Sequence, residues 1–535
     1  VTAAGGAARA APPAAVTVQA AHEHQRIRGI GGISFPEWIG DLTPQQRETA
    51  FGTGEGQLGF SVLRIPVSPN REDWPLSVET ARRARELGAI VFASPWHPPA
   101  DMCETFRHEA PNGAGTPHAA ETGTALAAAH VETGREAAEG GASVLLEGAG
   151  SSISWDDLVM GTTGPKRVTI RCAADQPGAG LRILADGAVV LEDLALPAPE
   201  AGVPWHDVPV DVPLEAGSNT LELIATGEGA VAVDGIRIAG IQVQDGAQRL
   251  AHDRYPDYAR HLDDFVMFMA EQGAPLEAIS IQNEPDYGAD WTWWTPQELT
   301  TFLRENASAI RCRIIAPESF QYVKETSDPI IRDAGAWAEV DILGSHLYGT
   351  PTDQLPYPLF EQNRGDRELW MTEVYVPNSE PGSNERWPES LVVGESIHDA
   401  FVIGGFQAYV WWYIRRSYGP IAEDGSISRR GHVMSHFSRF LRAGSRRVEL
   451  EATVLEGIRE SAYRTAEGAL VIVAINGTDA PVTRTYRIQG TSKQEVASWR
   501  TSASERFAAL APERPRGGRF TRELPARSIT TFEVR

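Results

Sequence analysis

The sequence predicts an α/β protein built on a (β/α)8 barrel, with a β-sandwich inserted in the loop after the third strand and a second β-sandwich at its side. Three observations lead there. Eight short apolar runs alternate with amphipathic stretches between Arg26 and Arg442, two of those runs end on a glutamate, and the alternation is broken once, over residues 113 to 248. Strands linked by helices in this rhythm make a parallel sheet, and eight such units close it into a barrel.

The eight runs are "RIRGIGGIS", "FSVLRIPVS", "AIVFASPW", "EAISIQNEP", "RIIAPESF", "VDILGSHLY", "ELWMTEVY" and "FQAYVWWYI". Continuous apolar character marks strands covered on both faces. Helical stretches lie between most of them, among them "TPQQRETAF" with Thr43 as N-cap and "TPQELTTFLREN" with Thr295 in the same role. The barrel is assigned to residues 25–112 and 249–444. Its next helix after "SPWHPPADMCETF" comes only at "DRYPDYARHLDDFVMFMAEQG", residues 253 to 273. The interval holds two of the chain's 43 aromatics, Trp155 and Trp205, and reads as short strands such as "KRVTIRCA" and "NTLELIATG". That is the pattern of a small sandwich, assigned to 113–248. An insert that leaves a barrel between a strand and its helix is expected to emerge on the catalytic face and flank the cleft. After Gly444 the strand pattern returns in "ALVIVAING", "VTRTYRIQG" and "SITTFEV". With a strand from "AVTVQAAHEHQRI", residues 12–24 and 445–535 form the side sandwich.

The 535 residues carry 48 Lys and Arg against 71 Asp and Glu, a formal charge of −23. Such a balance argues against nucleic acid and against anionic membrane surfaces as partners, because both require a basic footprint. No stretch approaches the length of about 18 apolar residues that spans a bilayer. Three cysteines, Cys103, Cys172 and Cys312, cannot all pair, so no disulfide framework is implied. Residues 1 to 21, with ten alanines, read as a flexible start to a processed, secreted, extracellular protein, and a monomer is expected.

In "ISIQNEPDYGADWTWW" a carboxylate, Glu284, closes an apolar strand, and Trp291, Trp293 and Trp294 follow at once. The seventh run ends the same way, on Glu373. Two carboxylates facing one cleft suit glycoside hydrolysis, which needs a proton for the leaving oxygen and a nucleophile for the anomeric carbon. Asn283 is placed to hydrogen-bond a sugar 2-hydroxyl, and His346 and Tyr348 in "GSHLYG" join the same strand ends. The blander alternative pairs each glutamate with a barrel arginine such as Arg64. Trp38, Trp96, Trp293 and Trp412 fall at or just after strand ends, where indole faces can bind the apolar C–H faces of sugars. In "WWYIRRSYGP", Arg415 or Arg416 offers a planar fork to an acidic substituent, or braces a loop or Glu373.

The strings "GIGGISFPEWIGDLT", "ISIQNEPDY", "IIAPESFQY", "GSHLYG", "WMTEVY" and "YVWWYIRRSYGP" resemble the glucuronoxylan-specific endo-1,4-β-xylanases of glycoside hydrolase family 30, subfamily 8. The resemblance covers residues 25 to 112 and 249 to 535. It implies a retaining cleavage of β-1,4-xylan directed by a glucuronic or methylglucuronic acid branch, with Glu284 as acid/base and Glu373 as nucleophile. No catalytic cofactor is implied. Each released chain then carries one uronate at a fixed distance from its reducing end. Arg416, Tyr418 and Tyr375 resemble the residues that hold the uronate, Trp412 the ring beside it, and Ser379 or Asn378 the serine that often joins them. His97 departs from the family pattern, which has a smaller Asn or Ser there. The insert resembles carbohydrate-binding modules of families 6 and 35 in "VPWHDVPV" and "LEAGSNTLELIATGEGAVAVDGIRI", although Ala232 stands where those modules commonly carry a sugar-binding Asn. That likeness also implies a structural calcium held by Glu121 and Asp234. The competing readings are another family 30 specificity, a β-1,6-glucanase or β-glucosidase, and a non-catalytic xylan-binding scaffold.

Overall fold

The computed structural model describes residues 15–111, 115–135, 138, 141–199, 205–227, 229–287, 291–489 and 495–535, so the alanine-rich start lies outside the described residues as far as residue 14. Every apolar run contains one barrel strand: β1 (Gly29–Ile33), β2 (Val62–Val67), β3 (Ile90–Pro95), β4 (Ala278–Ser280), β5 (Arg313–Ser319), β6 (Ile342–His346), β7 (Glu368–Val374) and β8 (Ala408–Tyr413). All neighbours pair in parallel and β8 returns to β1 to close the ring. The glycine run of β1 has a steric cause. A Cβ on Gly31 would lie 1.7 Å from the Val62 carbonyl oxygen, so no side chain fits between β1 and β2 there.

The barrel floor is apolar. Trp370 and Phe92 meet edge to face at 5.7 Å, with Val62, Ile315 and Ile342 around them. Around the ring, Thr43 and Thr295 cap their helices (Pro44–Phe51 and Pro296–Asn306), each in a capping box closed by Gln46 or Glu298. Such caps satisfy amides that a helix start leaves without partners. The helix Tyr255–Glu271 buries Tyr258, Leu262, Phe265 and Met269, the spacing of one helical face.

The side domain hydrogen-bonds as one nine-stranded sheet, and the strand Ala15–Arg26 lies in it between Arg446–Ala452 and Val482–Ile488, as the sequence anticipates. The sheet folds over a core in which Phe520 packs on Tyr486 and Phe532. Its other face, with Ile475 and Ile529, joins the barrel core. His436 bridges the two, bonding Thr531 and Thr501 at 2.9 Å each.

A separate compact unit spans Thr105–Ala247, starting earlier than the boundary at 113 read from sequence. The cause is the strand Cys103–Pro111, which pairs with the long strand Val231–Leu250 of the insert instead of ending in a barrel loop. Within the unit a five-stranded and a seven-stranded sheet enclose their own core. Burial alternates along Gly164–Ala174 and Gly217–Thr226, the period of strands with one face inward. Cys103, Cys172 and Cys312 are all free thiols.

A unit with its own core should fold alone. Residues 105–247, expressed by themselves, should melt in one cooperative transition. Leu223→Ala, at a fully buried position in the five-stranded sheet, should lower stability by about 2–5 kcal/mol in denaturant titration.

Candidate active site

Beyond Ser280 the fourth strand leaves the regular ladder but stays tied to its neighbours. The Asn283 amide donates to the Pro95 carbonyl at the end of β3 (2.8 Å), and the Glu284 amide to the Glu318 carbonyl in β5 (3.1 Å). Glu284 and Glu318 both adopt left-handed backbone conformations, with φ of +46° and +59°. For residues with side chains that costs about 1–3 kcal/mol each, which the surrounding bonds must offset.

Each oxygen of the two predicted carboxylates has a donor. Glu284 Oε1 lies 2.8 Å from His346 Nδ1, and Glu284 Oε2 accepts from Trp291 Nε1 at 2.9 Å. Glu373 Oε1 accepts from the Tyr348 hydroxyl at 2.9 Å, and Glu373 Oε2 from Arg64 Nη1. Arg64 is fully buried; its other bonds reach Asn283 Oδ1 (2.6 Å) and Ser94 Oγ (3.0 Å), and its guanidinium stacks over Trp96 at 4.7 Å. The bland pairing with Arg64 and the catalytic pairing therefore coexist. Donor atoms of Glu284, His346 and Glu373 lie within 4.8 Å of one another. So close an approach of the two carboxylates suits a retaining glycosidase, in which one of them reaches the anomeric carbon directly.

Glu318 is a third strand-end carboxylate, passed over in the sequence although "IIAPES" ends as the other two runs do. It is fully buried, 3.3 Å from Arg64 and 3.8 Å from His346 Nε2. Gly344 leaves the space: a Cβ there would lie 3.0 Å from the Glu318 side chain. Burial works against the Glu318 charge, but Arg64 and His346 overcome it and hold the carboxyl at about 2. Burial likewise opposes the His346 charge, yet Glu373, Glu284 and Glu318 around it raise the imidazole to about 9. Burial, outweighing His346 and Arg64, lifts the Glu373 carboxyl above its ordinary value. At neutral pH His346 thus presents an N–H to Glu284, not a lone pair to a metal ion.

The tryptophans separate by exposure. Trp38 is 45% exposed and stacks on Phe35 at 3.8 Å and on Trp291 at 5.6 Å. Trp96 is 3% exposed and supports Arg64, with little face left for a ligand. Trp412, half-buried, packs within 6.4 Å of Phe35, Trp38 and Trp96. Trp291, not Trp293, is the indole that meets Glu284, while the Trp293 amide bonds the Gln248 carbonyl at 2.9 Å. His97, its pKa lowered by burial, faces Thr292 and Trp291.

Ring contacts lead from the nucleophile's side to the arginine pair: Tyr348 meets Tyr375 at 5.0 Å, and Tyr375 meets Tyr418 at 5.6 Å. Arg415 spends its Nη2 on the Ile39 and Gly40 carbonyls, bracing the loop after β1. Arg416 is 41% exposed; it is 3.6 Å from Glu423, its buried Nε has no protein partner, and its charge opposes the burial that pushes Tyr418 up to about 12. Ser379 stands exposed one residue beyond Asn378, whose carbonyl accepts from Arg430. In the insert, Trp155 and Trp205 are both buried, Glu121 is exposed in a turn, and the Asp234 carboxylate is held by Arg171 at 2.8 Å. A cation sought there would compete with that guanidinium.

A closed parallel barrel whose fourth and seventh strands bring two carboxylates this close defines a glycoside hydrolase of retaining geometry. Comparison with known proteins places it further. The glycosyl hydrolase family 30 beta sandwich domain matches residues 444–532, and the carbohydrate binding module of family 6 matches 119–240. Glucuronoxylanase XynC of Bacillus subtilis strain 168 is 40% identical over 519 residues, 97% of this chain and 91% of that protein. A GH30 endoxylanase from Clostridium papyrosolvens C71 superposes with TM-score 0.67 at 30% identity, covering 97% of this chain and 100% of that one. The subfamily 8 xylanase Xyn30A of Clostridium acetobutylicum gives 0.64 at 25%, covering 97% and 99%. This chain belongs to glycoside hydrolase family 30.

Glu318 supplies a test of the buried network. Removing its charge takes one carboxylate from His346, so the imidazole gives up its proton at lower pH. In Glu318→Gln the His346 imidazole, held at about 9 by the carboxylates around it, should titrate at lower pH, a shift read directly by NMR of the ring. Loss of a charged hydrogen bond, about 1.5–3 kcal/mol, should lower kcat/KM roughly ten- to hundredfold. An unmoved His346 titration in a variant of unchanged fold would remove Glu318 from the network.

Proposed function

We propose that this protein cleaves the β-1,4-xylosidic bonds of glucuronoxylan by retaining double displacement, at positions set by a glucuronic or methylglucuronic acid branch. Glu373, with Tyr348 and Arg64 fixing its oxygens, attacks the anomeric carbon, and Glu284 gives its proton to the departing oxygen. Glu284 then takes a proton from the water that releases the glycosyl-enzyme. Asn283 lies beside Glu373 through their shared Arg64 and is placed for the sugar 2-hydroxyl.

The observation that carries the branch reading is the half-exposed guanidinium of Arg416, set beside Tyr418 at the end of the chain of rings that leads from Tyr348 through Tyr375. Support comes from the Bacillus relative, named a glucuronoxylanase. Ser379, Tyr375 and Trp412 complete the uronate pocket in this reading. A polymer substrate is met outside the cell, so we place the enzyme there, working as a monomer with its family 6 module on the same polysaccharide.

Products from glucuronoxylan, separated and weighed by mass spectrometry, should each carry one uronate at one fixed distance from the reducing end, and proton NMR should show the β-anomer first. A random uronate distribution would refute the branch reading. Arg416→Ala should lower kcat/KM on glucuronoxylan by roughly ten- to ten-thousandfold, one or two charged hydrogen bonds' worth. Activity on unbranched xylo-oligosaccharides should change little, and Arg416→Lys should restore only part, because a point charge cannot reproduce the fork. Equal losses on both substrates would mean that Arg416 supports the catalytic geometry and does not read the branch.

A further inference from the structure

Tyr348, which meets Tyr375 with its ring, also meets a second set of rings, carried by the loops after β4 and β5, to which no role has been given. Tyr287, three residues beyond Glu284, stacks on Phe320 with centroids 4.6 Å apart and planes 29° from parallel. Phe320 in turn stacks on Tyr348 at 5.2 Å, and Tyr348 bonds Glu373. Tyr287 nevertheless remains 38% exposed.

This ring is fixed with unusual care for a surface tyrosine. Its amide donates to the Glu284 carbonyl at 3.0 Å, so its position follows that of Glu284. The neighbouring Asp286 carboxylate ties the two loops together: Oδ1 accepts from the Phe320 amide (2.9 Å), and Oδ2 from Ser319 Oγ (2.6 Å) and Thr326 Oγ1 (3.2 Å). A carboxylate drawn into three bonds within the protein gives up hydration. Here the return is a loop whose exposed ring cannot drift relative to Glu284.

Which part of a ligand lies there follows from the chemistry. Glu284 protonates the glycosidic oxygen that departs, so the departing sugar begins within its reach. The sugar retained on Glu373, and the branch it carries, extend toward Tyr375, Tyr418 and Arg416 by way of the loops after β7 and β8. We propose that the Tyr287 ring, backed by Phe320, is the platform for the first sugar of the leaving chain, a β-1,4-linked xylosyl unit laying its C–H face on the phenol. The proposal rests on the retaining endo-acting reading given above. It adds a subsite on the side of the scissile bond that the uronate residues do not touch.

The test uses full-length Glu373→Gln enzyme, which binds without cleaving. The glycone side is first saturated with an acidic xylo-oligosaccharide ending on the reducing side of its uronate-bearing unit, and linear xylotriose is then titrated by calorimetry. Xylotriose should bind to the remaining half of the cleft. Adding Tyr287→Ala should weaken that binding about three- to tenfold, the scale of a lost ring contact. Tyr287→Trp, which keeps a flat face, should bind at least as well as tyrosine, and neither change should alter the affinity for the acidic fragment. No xylotriose binding to the saturated enzyme would overturn the proposal. So would unchanged binding in Tyr287→Ala, or a loss confined to the acidic fragment. Melting temperatures identify a variant that has not folded, and Tyr287→Trp still decides the matter in that case. Failure of the acidic fragment to bind the parent enzyme counts against the branch reading, and linear xylohexaose, long enough to cross the scissile position, is then titrated alone: Tyr287→Ala should weaken it by the same factor, and unchanged binding would overturn the proposal.

Discussion

A guanidinium buried out of reach of bulk solvent governs this active site. Arg64 is fully buried above the Phe92 and Trp370 floor, and a charge so placed must be neutralised and its N–H groups bonded. The strand ends around it meet that demand: β4 leads to Asn283, β5 delivers Glu318, β7 delivers Glu373 and β3 delivers Ser94. Two of the four are carboxylates, so negative charge stands beside His346, and the imidazole keeps its proton well above neutrality. His346 in turn orients Glu284. The spacing of the two catalytic carboxylates is therefore set by cations between and beneath them more than by the carboxylates themselves, which would otherwise repel. Burying such a network earns little stability, and its use is to fix geometry before substrate arrives.

The same economy of position divides the arginine pair after β8. Adjacent residues on an irregular segment point different ways. Arg415, mostly buried, turns its Nη2 back to two backbone carbonyls of the first loop, and Arg416 keeps 41% of its side chain exposed. A third arginine, Arg430, lies wholly inside and donates to the carbonyls of both Asn378 and Tyr418, joining the loops after β7 and β8. The residues proposed to hold the uronate thus rest on a bracket of protein bonds, so little conformational freedom is lost when a ligand arrives.

How much of this was legible in the sequence depended on whether a residue's role was local. The eight strands were readable because burial on both faces leaves a continuous apolar run, and Glu284 and Glu373 because a carboxylate closing such a run has few bland explanations. Thr43 and Thr295 followed from a cap and its third-residue partner. Glu318 obeyed the same rule as its two fellows but had no neighbouring tryptophans to draw attention to it. Trp291 and Trp293 differ by two positions in an irregular loop, where no period tells which indole turns inward. The insert boundary failed for a related reason: "CETFRHEAP" carries no mark of the partner strand, some 130 residues later, that claims it. The chemistry of the residues left Arg415 and Arg416 open and only the family resemblance favoured Arg416, since what engages Arg415 is a pair of carbonyls nearly 380 residues away.

The proposed recruitment of an anionic branch by a protein of formal charge −23 poses one further question, and distance answers it. Charges spread over a surface of this size are screened beyond a Debye length of about 8 Å at physiological ionic strength. A guanidinium in contact with a carboxylate at about 4 Å gains roughly 4 kcal/mol at an effective dielectric constant of 20. The local term is therefore sufficient against a diffuse one. Glu423, 3.6 Å from Arg416 Nη1, fits the same logic: with the Tyr413 ring 5.6 Å from the guanidinium carbon, it holds the cation in place before any ligand arrives. Discrimination then falls on planar geometry, which a bidentate carboxylate satisfies and a neutral hydroxyl does not.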